Sequence, residues 1–280
     1  MSIQGWKYYN HAMIPECPPN RNVDISAVKS GKIWSDVCGR GTPLLAQWTS
    51  DWDCGYGTNW WYIIKDTPLD ISQLKAKRRY EINKGMKFFE VKQIHPQEYA
   101  EKLYLVQVAA FSAYPEKYRP HVEKDSFVQE VEHWDDTAVF GAFYRNNNEL
   151  AGYARVNKTD EFWLEFNVLK TKPEFEKNAV NAAIVAEILT FFEPFLKKGG
   201  SICDGSRSIN HETHFQDYLE KYFGFRKVFC RLHIAYNPKI VWAIPILYRM
   251  RNLFAKLDSV GVVHQINVVL KMEEIVRSQK

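Results

Sequence analysis

The sequence predicts a mixed α/β domain of the α+β type, preceded by a small β-rich section and followed by a helical tail. Between residues 86 and 237 the hydrophobic patterns occur in the order β-α-α-β-β-β-α-β-α-β. An antiparallel meander followed by two crossovers indicates a mixed sheet with helices on both faces. The composition of the 280 residues, 46% hydrophobic and 25% charged, suits a packed core and argues against wholesale disorder.

The first 70 residues are rich in Trp, Gly, Pro and Cys. Short strand-like runs, LLAQW and NWWYIIKD, are separated by the turn signals CPPN, GRGTP and DCGYG. We therefore expect residues 1–70 to form a β-rich section packed on a domain that covers residues 71–238. The five cysteines are widely spaced and show no CxxC pair, so the sequence signals neither a disulfide framework nor a zinc finger.

A basic segment follows, with seven Lys or Arg residues against two Glu between Lys75 and Lys92, a net charge of +5 in a chain of net charge +4. The run DISQLKAKRRYEINKG predicts a helix that Asp70 or Ser72 caps and Gly85 ends. The next run, MKFFEVKQI, predicts a strand.

The remaining elements are predicted from their periodicity. A helix begins near Pro96, a second covers Glu123 to Trp134, and the runs TAVFGAFYR, ELAGYARVN and FWLEFNVLK predict three strands. A long helix spans about 173 to 196, and SICDGS, HETHFQDYLEKYF and FRKVFCRLHIAYN predict a strand, a helix and a last strand. Two helices, about 240–257 and 264–277, make up the tail of residues 239–280.

This order and several short patterns resemble the GNAT acyltransferases. DYLEKYFGFRKVFCRL resembles a late GNAT helix and strand, and AGYARV with FWLEFNVL resembles the central strands that accept the acyl donor. The basic run KAKRRYEINKG is similar to the helix before the first strand in Fem-type aminoacyltransferases, which act on peptidoglycan bridges. The resemblance implies an acyltransferase that acts on an amine, on a cell-envelope precursor if the Fem-type likeness holds.

The resemblance also implies a donor site after the third strand of the meander. In GNAT enzymes a glycine-rich loop holds the pyrophosphate of acetyl-CoA or another acyl-CoA. The corresponding run here, LKTKPEFEKNAVNAAI, contains no glycine, which hinders close backbone approach. Fem-type enzymes use aminoacyl-tRNA instead, which is the alternative donor. The expected donor-binding residues are Val168, Leu169, Lys170, Lys172, Lys177 and Asn178.

The strand FWLEFNVL offers a candidate general base. Strict alternation would place Trp163, Glu165 and Asn167 on one face, as an aromatic wall, a carboxylate and an amide. Acyl transfer to an amine needs a group that removes a proton, and Glu165 suits this role. The alternative is that Glu165 only forms an ion pair with Arg155 across the hairpin; Arg155 is otherwise a candidate for substrate binding.

Two further segments contain candidate side chains. Asp204, Ser206 and Arg207 follow a strand, at the end where ligands gather in open α/β sheets. Asp204 could take part in catalysis by orienting an amine, and Ser206 and Arg207 could hold a phosphate or carboxylate; the alternative is that this segment is only a solvent-exposed loop. In GNAT enzymes a tyrosine of the next helix often protonates the leaving thiolate. Aligning LEK with the family pattern puts Leu219 at the position of that tyrosine, so the candidate acid, Tyr218, is one position away from it.

His233 could line the substrate cleft or simply lie on the surface of the sheet. We expect no metal site, because His211 and His214 alone are too few ligands to hold a metal ion. In the basic helix, Lys75, Arg78 and Arg79 are neighbours without balancing acids and could bind phosphates of tRNA or of a lipid-linked acceptor. The competing hypothesis is a non-catalytic module that binds RNA or anionic lipid through residues 74–92.

Location is inferred from hydropathy. The longest apolar run, IVWAIPILY, is far shorter than the roughly 20 residues that span a bilayer, and no signal-like run opens the sequence. We expect a cytoplasmic protein, with peripheral contact at the inner membrane surface through the basic, apolar tail as a further hypothesis.

Overall fold

A computed structural model describes residues 3–35, 41–114, 116, 119–135, 137–209, 214–258 and 261–279. The chain divides into two compact units, of which the first comprises residues 1–63, 206–214 and 227–280, and the second comprises residues 64–205 and 215–226. Strands β4 (Trp61–Lys65) and β10 (Arg226–Phe229) contain points where the chain passes from one unit to the other.

The described residues form these strands: β1 Trp6–Tyr9, β2 Ala12–Pro15, β3 Leu45–Ser50, β4, β5 Phe89–Ile94, β6 Thr137–Tyr144, β7 Glu149–Asp160, β8 Trp163–Thr171, β9 Ser201–Ser206, β10 and β11 Arg231–Tyr236. Their α-helices are α1 Ser26–Lys29, α2 Ala76–Phe88, α3 Ala100–Ser112, α4 Lys124–Glu132, α5 Val180–Phe191, α6 Glu193–Lys197, α7 His214–Phe223, α8 Ile244–Arg249, α9 Arg251–Lys256 and α10 Gly261–Ser278.

The second unit contains a mixed sheet. Strands β5, β6, β7 and β8 pair antiparallel in sequence order, and β9 then pairs with β8 in the parallel direction after the crossover through α5. The mixed sheet predicted from the order of the elements is therefore confirmed.

Helices cover both faces of this sheet, as two neighbouring residues of β7 show. A Cβ on Gly152 would lie 3.1 Å from the Ile184 side chain of α5, whereas the Tyr153 hydroxyl donates to Gln107 of α3 at 2.7 Å. Successive strand residues point to opposite faces, so α5 and α3 lie on opposite sides. Helix α5 is buried almost all round, which its run VNAAIVAEILTF allows.

The end of the basic helix differs from the prediction. Gly85 does not end α2 but lies inside it, where a Cβ would come within 2.5 Å of the Ala179 carbonyl oxygen just before α5. The glycine is thus required for close helix packing. Asp70 caps the 3-10 turn Ile71–Gln73 by accepting from the Ser72 amide, and not α2 itself.

The first unit has a four-stranded sheet of order β1-β2-β3-β11, with β3 and β11 antiparallel. One hydrophobic cluster contains Trp6, Met13 and Ile33; another contains Trp60 and Leu232 with Met272 and Ile275 of α10. The tail of the chain is thus a structural part of this unit.

Two predicted elements are divided. The run FRKVFCRLHIAYN is not one strand but two, β10 and β11, which separate at Cys230 and belong to different sheets. The long helix expected over 173–196 consists of the 3-10 turn Pro173–Asn178, α5 and α6. Ala179, with a left-handed φ of 62°, separates the turn from α5, and the non-helical Phe192 separates α5 from α6.

Candidate functional site

The parallel ladder between β8 and β9 is short and then ends. It joins Trp163 to Ser201, Leu164 to Ile202 and Glu165 to Cys203. Strand β8 continues to Thr171 and β9 to Ser206, but no further pair joins them among their residues, all of which the structure describes. The two strands therefore part beyond Glu165 and Cys203, which leaves β8 backbone groups on that side without a ladder partner.

A bulge in β8 lies directly beyond this point. The register with β7 shifts between the pairs Arg155–Val168 and Val156–Phe166, so Asn167 is the extra residue. Bulges commonly re-aim groups next to active sites. Here the bulge exposes Asn167 while Phe166 stays in the core at 3% exposure.

Asp204 follows Cys203, the last residue of β9 that pairs with β8. Burial raises the pKa of its carboxyl to about 7, against a side-chain hydrogen bond with Gln216 of α7 that lowers it. Asp204 and Glu165 both raise the pKa of the Cys203 thiol, after burial itself, so both carboxyls lie near that residue. A carboxyl whose pKa lies near neutral pH thus belongs to the residue directly after the last β8–β9 pair, and such a pKa is suited to general base catalysis.

Helix α7 contacts the opening through an aromatic face. The Phe215 ring packs edge-on against the Phe166 ring, with the two centroids 5.9 Å apart. The Tyr218 ring stacks on Phe215, and its centroid lies 4.7 Å from that of the Tyr222 ring. Burial is the main cause that raises the pKa of Tyr218, so the phenol stays protonated. Tyr218 follows Gln216 by two positions, about 200° around the helix, and so projects away from the Asp204 side.

The hairpin between β7 and β8 differs from the expected pairing. Glu165 is opposite Asn157, and Arg155 is opposite Val168, because the bulge shifts the register. Arg155 instead lies over the Trp134 ring at 3.7 Å and forms an ion pair with Glu130 at 3.4 Å. The proposed ion pair between Glu165 and Arg155 is therefore wrong.

Trp163 also differs from its expected place. It is 1% exposed and so cannot serve as an open aromatic wall, because helices cover both faces of the sheet. Successive residues of β8 point to opposite faces of the sheet, but neither face is open to solvent along the whole strand.

The expected donor loop is largely occupied by the protein's own contacts. The Lys170 ammonium lies 4.6 Å from the Phe111 ring centroid, and Lys172 bonds Glu149, whose pKa this bond lowers. Val168 and Leu169 lie in β8, half-buried. The Lys177 carbonyl accepts from Lys84 of α2 at 2.7 Å, and Asn178 closes the 3-10 turn instead of starting α5.

The basic helix makes intramolecular contacts of the same kind. The Arg78 guanidinium lies 3.3 Å above the Tyr222 ring. Arg79 donates to the backbone carbonyls of Ser72 and Leu74, and Lys75 is the N-cap residue of α2. The three charges are neighbours in sequence, but two of them are already held by the protein.

Three other candidates belong to the first unit. Ser206 ends β9, and Arg207 lies over the Trp61 ring at 4.6 Å and donates to the Asn59 carbonyl. His233 stacks on Trp48 in the four-stranded sheet and shares a 2.7 Å hydrogen bond with the Ser50 hydroxyl.

No group of three or more His, Cys, Asp or Glu side chains placed to hold a metal occurs in the described part of the chain. His211 and the side chain of His214 lie outside it. Sequence reasoning missed Gln216 and Phe215, because only the tertiary contact of α7 with β8 and β9 shows their position. The amphipathic pattern of HFQDYLEKYF identified the helix but not the strands it meets.

Comparisons with known proteins find similarity in structure alone. No protein-family model matches the sequence, and no curated protein matches it significantly. L-PGS from Bacillus licheniformis is 12% identical with a TM-score of 0.52, over 98% of this chain and 86% of that one. The C-terminal domain of a putative lysylphosphatidylglycerol synthetase from Agrobacterium fabrum is 8% identical, with a TM-score of 0.50 over 86% and 82%.

More distant matches include FemX, with a TM-score of 0.43, 8% identity and coverage of 60% of this chain and 59% of that one. A tandem GNAT protein from the clavulanic acid biosynthesis pathway has a TM-score of 0.40. These two scores are too low to support an argument by themselves. The element order and the two stronger matches confirm the predicted mixed α/β fold of GNAT-like element order, which this chain shares with those two structures.

Proposed function

We propose that the protein is an acyltransferase that transfers an aminoacyl group from an ester-linked donor, such as aminoacyl-tRNA, to an amine or hydroxyl acceptor. The observation that supports this most is the parting of β8 and β9 directly beside the Asp204 carboxyl. The name lysylphosphatidylglycerol synthetase denotes transfer of an amino acid to a lipid, and the similar fold makes a related reaction a reasonable choice.

The donor carbonyl would lie between the parted strands. The acceptor attacks the carbonyl carbon and loses its proton to the Asp204 carboxylate, while the β8 backbone N–H groups near Asn167 stabilise the oxyanion. The ester C–O bond then breaks, and the proton returns from Asp204 to the leaving hydroxyl. Because no side chain forms a covalent intermediate in this scheme, positioning contributes much of the rate.

An aminoacyl donor fits the contacts of the loop 170–178 better than a CoA thioester does. A pyrophosphate needs free cations and close backbone approach. Lys170 and Lys172 are held by Phe111 and Glu149, and the loop contains no glycine. Acetyl-CoA or another acyl-CoA remains the donor against which the proposal is tested.

The test compares two labelled donors. Bulk tRNA charged with labelled amino acids, or labelled acetyl-CoA, is incubated with the protein and with phosphatidylglycerol vesicles or a mixture of polyamines and amino sugars. We expect label to move from tRNA to an acceptor, and Asp204→Asn to slow this by about 100-fold or more. Asp125→Asn, at an exposed position of α4, is the matched control and should transfer normally.

The proposal fails if neither donor loses label faster than it does with heat-denatured protein. Transfer from acetyl-CoA alone would refute the aminoacyl donor. Full activity of Asp204→Asn would refute the assigned base and leave Glu165→Gln as the variant to assay.

A further inference from the structure

An apolar stripe runs along the segment Val241–Leu257 of the first unit, which is helical as far as Lys256, and faces solvent. Its members are large side chains spaced three or four residues apart and at least 43% exposed: Trp242, Ile246, Met250, Leu253 and Leu257. Such spacing defines one face of a helix, which in a globular protein ordinarily packs on the core. Here the core contact of α8 is made by Ile244, at 6% exposure, and the stripe is left open.

The backbone keeps the stripe together across the junction of α8 and α9. The Met250 amide donates to the carbonyls of Ile246 and Leu247, and the Met250 carbonyl accepts from Phe254. Helical hydrogen bonding thus continues through the junction. A contiguous exposed apolar surface of this kind marks an interaction site.

Positive charge flanks the stripe. Residues 239–257 contain four Lys or Arg residues and no Asp or Glu. Lys239, Arg249 and Lys256 are exposed. Arg249 and Lys256 each lie three positions from a stripe residue, which is a neighbouring position on a helix, and Lys239 lies in the turn just before the first helical residue, Val241. Arg251 instead folds back over the Tyr248 ring, 4.4 Å away. An apolar face bordered by cations is the pattern that an anionic lipid surface complements.

Trp242 is prepared for such a surface. It is 69% exposed, and its indole Nε1 donates to the Lys239 carbonyl at 2.8 Å. Its polar atom is therefore satisfied within the protein, so the ring can enter an apolar layer without losing a hydrogen bond to water. Tryptophan is enriched at membrane interfaces for its combination of a large apolar ring and a polar edge.

We propose that the apolar stripe docks the protein onto an anionic bilayer, with the helical segment lying in the plane of the lipid headgroups. The segment Val241–Leu257 is about 25 Å long at helical rise. None of the helices in the described ranges is long and apolar enough to cross a bilayer. This inference does not depend on the proposed transferase activity.

A second copy of the chain fits the stripe less well. Symmetric pairing through this face would bring Lys239, Arg249 and Lys256 of one copy close to those of the other. Residues 239–257 offer no acid to offset that repulsion, and like charges across an interface are unfavourable.

The test is co-sedimentation with vesicles. We expect binding to vesicles of mixed phosphatidylcholine and phosphatidylglycerol, weakened by salt, and none to phosphatidylcholine alone. The double change Ile246→Ser with Leu253→Ser should lower the partition coefficient about tenfold or more. Arg249→Gln with Lys256→Gln should lower the partition coefficient roughly 25-fold, since each basic charge near an anionic surface contributes about fivefold.

Matched controls lie elsewhere on the surface. Leu105→Ser removes an equally exposed leucine, at 58% exposure, from α3, and Lys158→Gln with Lys198→Gln removes two exposed charges. These variants should bind as the wild type does. The proposal is wrong if the wild type does not sediment with anionic vesicles, or if the controls lose as much binding as the stripe variants. A dimer in lipid-free solution that Leu253→Ser dissociates would equally overturn it, in favour of a second copy.

Discussion

Replacing Asp204 with asparagine is expected to stabilise the protein at pH 8 while it removes the proposed base. In the folded protein burial raises the pKa of the Asp204 carboxyl to about 7, whereas the unfolded chain releases this proton near the ordinary value of 3.8. Between these values the folded state binds more protons, so stability falls as pH rises, and the loss is complete above pH 7. Asparagine has the shape of the neutral acid but never ionises.

The size of the effect follows from the pKa difference. A carboxyl with values of 3.8 and about 7 loses about 4 kcal/mol of stability across that window. Asp204 is half-buried, so solvent screens part of this cost, and we expect about 2–4 kcal/mol at pH 8. For a protein of 280 residues that corresponds to a rise in Tm of about 3–7 °C.

The assay is thermal unfolding of wild type and Asp204→Asn at pH 4.5 and pH 8, with Asp125→Asn as control. The free energy of unfolding of Asp204→Asn should match that of the wild type within about 1 kcal/mol near pH 4.5 and clearly exceed it at pH 8. An equal difference at both pH values, or a variant that is less stable at pH 8, would refute the account of this carboxyl.

Two further predictions concern packing and an ion pair. Gly85→Ala should lower the free energy of unfolding in urea by about 2–3 kcal/mol, since the new Cβ would lie 2.5 Å from the Ala179 carbonyl oxygen. The control is Gly57→Ala, where a Cβ would meet no atom within 4 Å. An equal loss of stability in both variants would contradict this prediction. The bond from Lys172 lowers the pKa of Glu149 in the folded protein. Wild type should therefore be more stable to unfolding than Glu149→Gln by about 1 kcal/mol at pH 7, and this difference should disappear as the pH falls below the usual glutamate range. A difference in stability that persists at pH 3 would contradict this prediction.

The order of elements could be predicted from sequence because it depends on local periodicity. The meander, both crossovers and the mixed sheet follow from patterns within single segments. The single strand over 226–236 was wrong because its apolar alternation continues through Cys230, and the sequence there does not show that two sheets share the run. Gly85 was misplaced for a related reason, since its lack of a side chain serves contact with Ala179 and not a helix end.

The candidate site could be predicted only in part. Asp204 was identified from its position at a strand end, but its pKa depends on burial and on Gln216, which is brought close by tertiary packing. The register shift at Asn167 separates Glu165 from Arg155, and no local pattern encodes a bulge. The basic helix showed its charge in sequence but not the Tyr222 ring that holds Arg78.

The dependence of kcat/KM on pH, measured with whichever donor the protein consumes, tests the role of the opening between β8 and β9 most directly. With Asp204 as base, kcat/KM should rise as the pH passes about 7 and then level off, and Asp204→Asn should show a low and flat profile. A wild-type profile that stays flat from pH 5 to pH 9, or an inflection near pH 7 that survives in Asp204→Asn, would contradict proton transfer at this carboxyl.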